Sequence, residues 1–178
     1  EKTKIWSPRA DLTTPQMQEA LSEFKVAPMG GMGAGIIVMG VAIGTHAYET
    51  AYVEHVTFAQ HQEIFGPPRS LGMEDEYAKI AQMPTRQEAF LLQRYCQGTT
   101  RVNHFMRGIE GDRVNPSLAR VDSMGIKAIE NAIAGPTLSD IQRRQTSLPL
   151  GMGGLALRSA VDTRRGAWVA SWATAVGT

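Results

Sequence analysis

The stretch Met29–Gly44, "MGGMGAGIIVMGVAIG", contains sixteen residues without a charge, and six of them are glycine. It lies within twenty uncharged residues, Val26–Thr45, about the length of a membrane-spanning helix. Its strongly apolar part covers only residues 36–43 and is rich in β-branched side chains, which is typical of a strand. We therefore expect a flexible glycine lead-in and one buried strand, Gly35–Ile43, followed by a helix that Thr45 caps.

The stretch admits two other interpretations. A membrane anchor over residues 29–44 is a minor alternative, because glycine contributes little hydrophobicity and Pro28 lies near one end. A dinucleotide-binding loop needs G-x-G-x-x-G between a strand and a helix. Here the glycines at 31, 33 and 35 precede the strand, which is the wrong order for a phosphate loop.

The composition is that of an ordinary globular protein, and 178 residues fit one domain or one domain with a small appendage. Charge is unevenly distributed. Residues 1–85 hold six lysines and arginines against ten acidic residues, whereas residues 86–178 hold twelve against seven. The asymmetry points either to an anionic partner for the second half or to two oppositely charged solvated faces. Cys96 is alone, which excludes an internal disulfide, and we expect it to be buried.

The chain begins at Glu1 rather than Met, which is compatible with a processed, organelle-targeted chain or with a partial product. The compartment is not readable from this sequence.

Most of the remaining chain predicts helices, from apolar periodicity and from capping residues such as those of "TRQE" at residues 85–88. The expected helices cover residues 14–24, 45–65, 74–82, 85–97, 102–108, 115–135, 139–147 and 159–175, with Thr137 or Ser139 capping the seventh. The fold class predicted is mainly α, a helical bundle with one or two short strands at about residues 35–43.

No group of residues predicts catalysis or metal binding. His55 and His61 are six apart, which does not place two ligands on one helical face. The acids of Met73–Glu76 suit a helix start. Ser147 and Ser159 lack the G-x-S-x-G context of a nucleophile. We therefore expect no catalytic residue, no metal and no cofactor in this chain.

The cations of the second half are overwhelmingly arginines, whose planar forks match phosphate and carboxylate oxygens. Candidate nucleic-acid-binding or partner-binding residues are Arg94, Arg101, Arg107, Arg143, Arg144 and Arg158. Tyr95, Trp168 and Trp172 could stack on bases. For the two tryptophans, which are four apart, we favour packing of the last helix onto the core.

Several motifs resemble the end of reverse transcriptase-like proteins from non-LTR retrotransposons. "LPLGMGGLALRSA", Leu148–Ala160, is similar to an LP-x-x-x-GGLGLRS element of that family. It precedes "GAWVASW", Gly166–Trp172, which is similar to the family's A-x-x-x-A-S-W ending. "GIIVMGVAIGT", Gly35–Thr45, resembles the G-I-K-V-L-G-x-P-I-G strand.

Three further positions extend the resemblance over nearly the whole chain in the family's order. "KTKIW", Lys2–Trp6, resembles the lysine–threonine element just past the polymerase's catalytic aspartates. Arg86–Arg107 resembles a helix pair that ends in arginine, and Asp122 falls where the family often has an F-D pair. The resemblance implies a palm-end segment, residues 1–44, and a helical thumb-like domain, residues 45–178.

The resemblance places this chain after the paired-aspartate motif of the palm, and no Y-x-D-D occurs in it. Nucleotidyl transfer by two metals therefore cannot occur within these residues. The chain also departs from the family, with Ile37 at a common lysine, Ala42 at a common proline and Gly151 at a common arginine.

These observations leave two main interpretations of function. We lean to a non-catalytic, retroelement-derived structural subunit whose partners are other proteins of a larger assembly. The alternative is the thumb of a longer RNA-directed DNA polymerase that grips RNA or an RNA–DNA duplex.

Overall fold

The structure is a computed structural model that describes residues 4–5, 25–26, 34–68, 72–133 and 137–176. Over these residues the chain is mainly helical, with short strands near the N-terminus, which confirms the predicted fold class. The strands are β1 Lys4–Ile5, β2 Lys25–Val26, β3 Gly35–Val38 and β4 Val41–Gly44. The helices are α1 His46–Phe58, α2 Gln62–Phe65, α3 Met73–Ala81, α4 Arg86–Cys96, α5 Thr99–Gly108, α6 Asn115–Ile133, α7 Asp140–Ser147 and α8 Ala160–Val176, and Gly111–Val114 and Leu150–Met152 are 3-10 turns.

The opening stretch forms a hairpin rather than one strand. β3 and β4 pair antiparallel, with Gly35 opposite Gly44. Met39 and Gly40 connect them, and both have a positive φ, 51° and 81°. Two consecutive positive φ values fit the tight turns that match the twist of paired strands. The prediction of a single strand was wrong because methionine gives no turn signal in the first position.

The hairpin buries Ala42 in the core and leaves several of its larger side chains exposed. Ala42 is 1% exposed, whereas Ile37 and Ile43 are 44% and 43% exposed. A Cβ at Gly35 would lie 2.2 Å from the ring of Tyr48, so β3 approaches α1 too closely for any side chain. The expectation of a buried strand was therefore wrong for Ile37, Val38 and Ile43, and residues 35–44 form a hairpin rather than part of one helix.

No helix within the described ranges is both long and apolar enough to cross a bilayer.

The core lies between the hairpin, α1, α3, α5 and α6. Its largest fully buried side chains include Val53, Met73, Met106 and Leu118. α8 packs against α5 and α6, while α6 also contacts α3 and α4. Since Ala42 belongs to this core, the described hairpin packs on the helical domain, and the boundary at residue 44 stays a prediction.

Helix ends follow the capping residues predicted. Thr45 accepts from the amide of Tyr48 at 3.3 Å, and Thr85 accepts from Glu88 at 3.2 Å. Ser139, rather than Thr137, caps α7 in a reciprocal arrangement with Gln142. These contacts satisfy amides that have no partner inside the helix.

The predicted helix over residues 45–65 is interrupted. α1 ends at Phe58, and α2 begins at Gln62, because Ala59 and His61 take left-handed conformations with φ of 56° and 54°. The predicted helix over residues 14–24, the glycine lead-in before Ala34 and the helix end at Gly135 lie outside the described residues.

Candidate nucleic-acid interface

Four of the six candidate arginines converge on one cavity. It has a volume of about 270 Å³ and lies between α4, α6, α7 and the loop before α8. Arg94, Arg143, Arg144 and Arg158 line it, although they come from three separate parts of the sequence. The same cavity contains two acidic residues, Asp122 and Asp162.

Local helix chemistry places two of these cations. Arg94 and Arg144 each lie in the last turn of a helix, α4 and α7. The helix dipole leaves partial negative charge at this end, which favours a cation. Both side chains line the same cavity.

The glycine-rich loop before α8 positions Arg158. It folds back onto the end of α7, where the amides of Leu155 and Leu157 both donate to the carbonyl of Thr146, at 3.2 and 3.1 Å. Thr99 at the start of α5 donates its hydroxyl to the carbonyl of Arg158 at 3.0 Å. The backbone of Arg158 is thus held from a second helix, while its side chain stays exposed beside Arg144.

The loop before α8 requires glycine at position 154 and holds the backbone of Ala156 in an unfavourable conformation. A Cβ at Gly154 would lie 2.1 Å from the carbonyl oxygen of Leu148, so no side chain fits there. Ala156 has a φ of 54°, in the left-handed region that favours glycine. Ala156 therefore holds a backbone conformation for which glycine is better suited.

Asp122 anchors the start of α8. Its carboxylate accepts hydrogen bonds from the hydroxyl of Ser159 at 2.6 Å and from the amides of Ala160 and Val161 at 2.8 and 3.2 Å. Ser159 also accepts from the amide of Asp162 at 3.1 Å as the N-cap of α8. Ser159 therefore acts in a helix cap, and its hydroxyl proton is held by a carboxylate that three donors occupy.

Ion pairing separates the cavity arginines from most others. Arg143 approaches Glu130 at 3.5 Å. In contrast, Arg94, Arg144 and Arg158 form no ion pair with any carboxylate of the described residues. The arginines that do have an acidic partner are Arg101, Arg113, Arg120, Arg143, Arg164 and Arg165. The cavity therefore collects three cations whose charge is available to a ligand.

The other two candidate arginines lie elsewhere. Arg101 binds Glu76 at 3.0 Å and faces a separate groove of about 600 Å³. Arg107 is exposed in the last turn of α5 and does not line the cavity. Both residues lie on α5, whereas the four arginines of the cavity lie on α4, on α7 and in the loop before α8.

An adjoining groove of about 390 Å³ shares Arg94, Thr99 and Arg158 with the cavity and adds Tyr95. Tyr95 is 60% exposed, and the guanidinium carbon of Arg94 lies 5.0 Å from its ring centroid. Arg94 and Arg158 therefore stand between two depressions, one of which presents an open aromatic ring.

Neither tryptophan of α8 belongs to the core. Trp168 and Trp172 pack on each other with ring centroids 5.7 Å apart, and Trp172 is 56% exposed. The favoured prediction of core packing was wrong for Trp172. α8 contacts the rest of the molecule mainly through its first half, and the core includes only Ala160 of its residues, with Val161 and Ala167 packed against it.

The remaining sequence candidates have structural partners. His61 pairs with Glu54 at 2.8 Å and Glu63 at 3.5 Å, whereas His55 is buried and its Nδ1 lies 2.7 Å from the carbonyl of Gln60. Within the described ranges no three His, Cys, Asp or Glu residues are grouped to hold a metal ion. Cys96 is exposed, so the prediction that it is buried was wrong.

Sequence reasoning missed two buried residues of the cavity lining, Tyr77 and Gln97, which we call its floor. Tyr77 and Gln97, both more than nine-tenths buried, line it from α3 and from the end of α4. Within the described chain, neither the hydroxyl of Tyr77 nor Oε1 of Gln97 has a hydrogen-bond partner. Burial raises the pKa of Tyr77 above its ordinary value. The nearby Gly98 backbone lowers this pKa in part, although it does not form a hydrogen bond of normal geometry with the Tyr77 hydroxyl. No sequence signal distinguishes these two residues from ordinary helix positions.

No protein-family model, curated protein or solved structure matches this chain. The resemblance to reverse transcriptase-like proteins therefore rests on the motifs quoted above.

Proposed function

We propose that this chain is a non-catalytic nucleic-acid-gripping module, corresponding to the thumb-like end of a reverse transcriptase-like protein. The observation that carries the proposal is the convergence of Arg94, Arg144 and Arg158, none of which has a carboxylate partner in the described residues, around one cavity. Unpaired guanidinium groups that share one surface match the spaced phosphates of a nucleic-acid backbone.

The charge of the cavity lining favours a bound anion, because its arginines are not all neutralised by carboxylates of the chain itself. Four arginines line it against two aspartates, and the carboxylate of Asp122 already accepts three hydrogen bonds from the start of α8. Most arginines away from the cavity are neutralised by local acids, such as Arg113 by Glu49 at 2.9 Å. Three of the five described arginines without an ion-pair partner therefore lie at this one cavity, whereas the other two, Arg86 and Arg107, are exposed elsewhere.

The adjoining groove supplies a second kind of contact. Tyr95 is exposed beside Arg94, and an exposed ring next to a phosphate-binding cation can stack on a base. A strand with its phosphates on Arg94 and Arg158 would pass directly over this ring. These contacts do not depend on base identity, so we expect affinity for the backbone with little sequence preference.

The test is salt-dependent binding of a fluorescent RNA–DNA hybrid, measured by fluorescence anisotropy from low to physiological salt. Arg94→Ala/Arg144→Ala should weaken binding and make the slope of log K against log salt shallower by about two, since each duplex phosphate contact contributes about 0.9. The matched control is Arg86→Ala/Arg107→Ala, which removes two exposed cations outside the cavity.

Equal losses in the two double variants would show that charge alone, and not this cavity, holds the nucleic acid. Absence of binding by the wild-type chain even at low salt would contradict the proposal.

A structural subunit of a larger protein assembly is the second candidate, because the far half of α8 is open. Val169, Trp172 and Val176 are 58%, 56% and 80% exposed and recur at a spacing that places them on one face. A chain that binds no duplex but copurifies with native protein partners through this face would fit that role. Substitution Trp172→Glu would then release the partners and leave the cavity unaltered.

A further inference from the structure

We propose that the cavity receives one unpaired nucleobase of the strand held at its arginine rim. This inference rests on the proposed function and gives the cavity a role that phosphate contacts alone do not require. The juxtaposition that carries it is a cationic rim above a buried floor on which Tyr77 and Gln97 each leave a polar atom without a partner.

The two unpartnered atoms of the floor would both be satisfied by a ligand that donates one hydrogen bond and accepts another. The Nε2 of Gln97 already donates to Glu76 at 2.9 Å, so its Oε1 is left as an acceptor. The Tyr77 hydroxyl can donate. A buried polar atom without a partner is costly, and a bound group that pairs with both atoms would remove that cost.

The acceptor on the floor disfavours a phosphate as the deeply bound group. A phosphate oxygen beside Oε1 of Gln97 would place two acceptors together, whereas the edges of nucleobases carry N–H donors next to acceptors. The phosphate chemistry belongs at the rim, where Arg94, Arg144 and Arg158 lie. Cations at the rim and a hydrogen-bond acceptor on the floor therefore fit a nucleotide whose phosphate lies at the rim and whose base points inward.

The walls and the volume agree with a flat ring. Val121, Ile126 and Leu157 supply apolar surface, and the volume of about 270 Å³ is close to the lower range of small-molecule pockets. Two glycines keep the floor open, since a Cβ at Gly125 would lie 3.6 Å from the Tyr77 hydroxyl and one at Gly98 would lie 3.8 Å from it. A Cβ at either position would be in van der Waals contact with this hydroxyl and would reduce the space beside it.

A base can enter only if it is not stacked in a helix, because extrusion from a duplex costs a few kcal/mol. We therefore expect the cavity to select a strand end, a bulge or a single-stranded segment. The experiment compares a hybrid duplex that carries a one-nucleotide overhang with the same duplex carrying an abasic residue there, by fluorescence anisotropy at one low salt concentration.

The wild-type chain should bind the base-bearing overhang roughly three- to tenfold more tightly, as expected for one or two buried hydrogen bonds. Tyr77→Phe keeps the ring and removes only the unpartnered hydroxyl, so it should lose much of that preference. Gly125→Ala should weaken it by placing a methyl group beside the Tyr77 hydroxyl, and alanine suits the interior of α6 better than glycine, so this variant should fold. Tyr95→Phe is the matched control, since its ring lies outside the cavity and should keep the preference.

The possible outcomes separate the two proposals. Equal binding of the base-bearing and abasic overhangs, with duplex binding intact, would overturn the base pocket and leave the nucleic-acid-gripping function standing. A preference that survives in Tyr77→Phe and Gly125→Ala would also overturn it, since the base would then bind elsewhere. Abolition of the preference by a free nucleoside monophosphate, with the duplex still bound, would support the same pocket chemistry and show that the cavity accepts a base without its strand. No binding of any hybrid at low salt would overturn both proposals.

Discussion

Asp122 in the middle of α6 accepts a hydrogen bond from the hydroxyl of Ser159, which lies 2.6 Å away although 37 positions separate the two residues. The same carboxylate binds the amides of Ala160 and Val161. It therefore fixes the start of α8 and, through the preceding residue, Arg158. Two motifs that are remote in the sequence meet in this contact, and both border the arginine-lined cavity.

Replacing Asp122 should destabilise the protein more than replacing another acid. Asp122→Ala removes the acceptor for three donors at a helix start, and we expect a loss of about 2 kcal/mol in the free energy of unfolding. Urea denaturation measures this loss. Asp75→Ala, which removes an exposed acid from the first turn of α3, is the control and should cost less than 1 kcal/mol. Equal losses of stability in the two variants would show that the hydrogen bonds of Asp122 contribute no more than an exposed acid in a helix's first turn.

The strained alanine of the glycine-rich loop predicts a stabilising substitution. Ala156→Gly should raise the free energy of unfolding by about 1 kcal/mol, because the left-handed conformation at φ 54° costs alanine more than glycine. Thermal unfolding should show a rise of about 2–4 °C. Gly154→Ala should act in the opposite direction, since its Cβ has no room beside Leu148. If Ala156→Gly is destabilising, the loop does not have this conformation.

The turn of the hairpin predicts a second stabilising substitution, at the exposed residue Met39. Met39 is 93% exposed, so its side chain contributes little, but its backbone holds a φ of 51°. Met39→Asn should therefore add up to about 1 kcal/mol, since asparagine tolerates this region and favours such turns. Denaturant titration measures the gain, and Met39→Val, which suits strands but not positive φ, should lose stability. A more stable Met39→Val variant would favour the single strand that the sequence predicted.

Alkaline pH should destabilise the fold through Tyr77. Because burial raises its pKa, the folded chain holds the phenolic proton in a range where the unfolded chain, with a pKa near 10, has released it. The contribution of Tyr77 to stability is therefore full below pH 10 and declines above it, by up to roughly 1.4 kcal/mol per pH unit.

Urea unfolding at pH 8 and above pH 10 tests this expectation. Tyr77→Phe should remove the Tyr77 part of the decline and leave a smaller one, to which Tyr48, whose pKa is also raised by burial, contributes. At pH 8 the same variant should be as stable as the wild-type chain or more so, since it loses a hydroxyl without a partner. An unchanged pH dependence in Tyr77→Phe would mean that Tyr77 does not have a raised pKa.

Local signals predicted most of the helices, and the reasons for the misses are also local. Thr45, Thr85 and Ser139 cap helices because their side chains satisfy nearby amides, a contact within three residues that a sequence reveals. The break between α1 and α2 was missed because alanine and histidine rarely take a positive φ. Backbone conformations that a residue type disfavours leave no pattern to detect.

The sequence by itself determined that this chain is mainly helical, where most of its helices begin, and that its second half is rich in arginine. Each of these properties depends on residues a few positions apart. Only the tertiary structure decided that Arg94, Arg144 and Arg158 share a cavity while Arg101 pairs with Glu76. It also brought Tyr77 and Gln97 to the floor. Such contacts depend on how helices cross, and the crossing is set by the packing of the whole core rather than by any one segment.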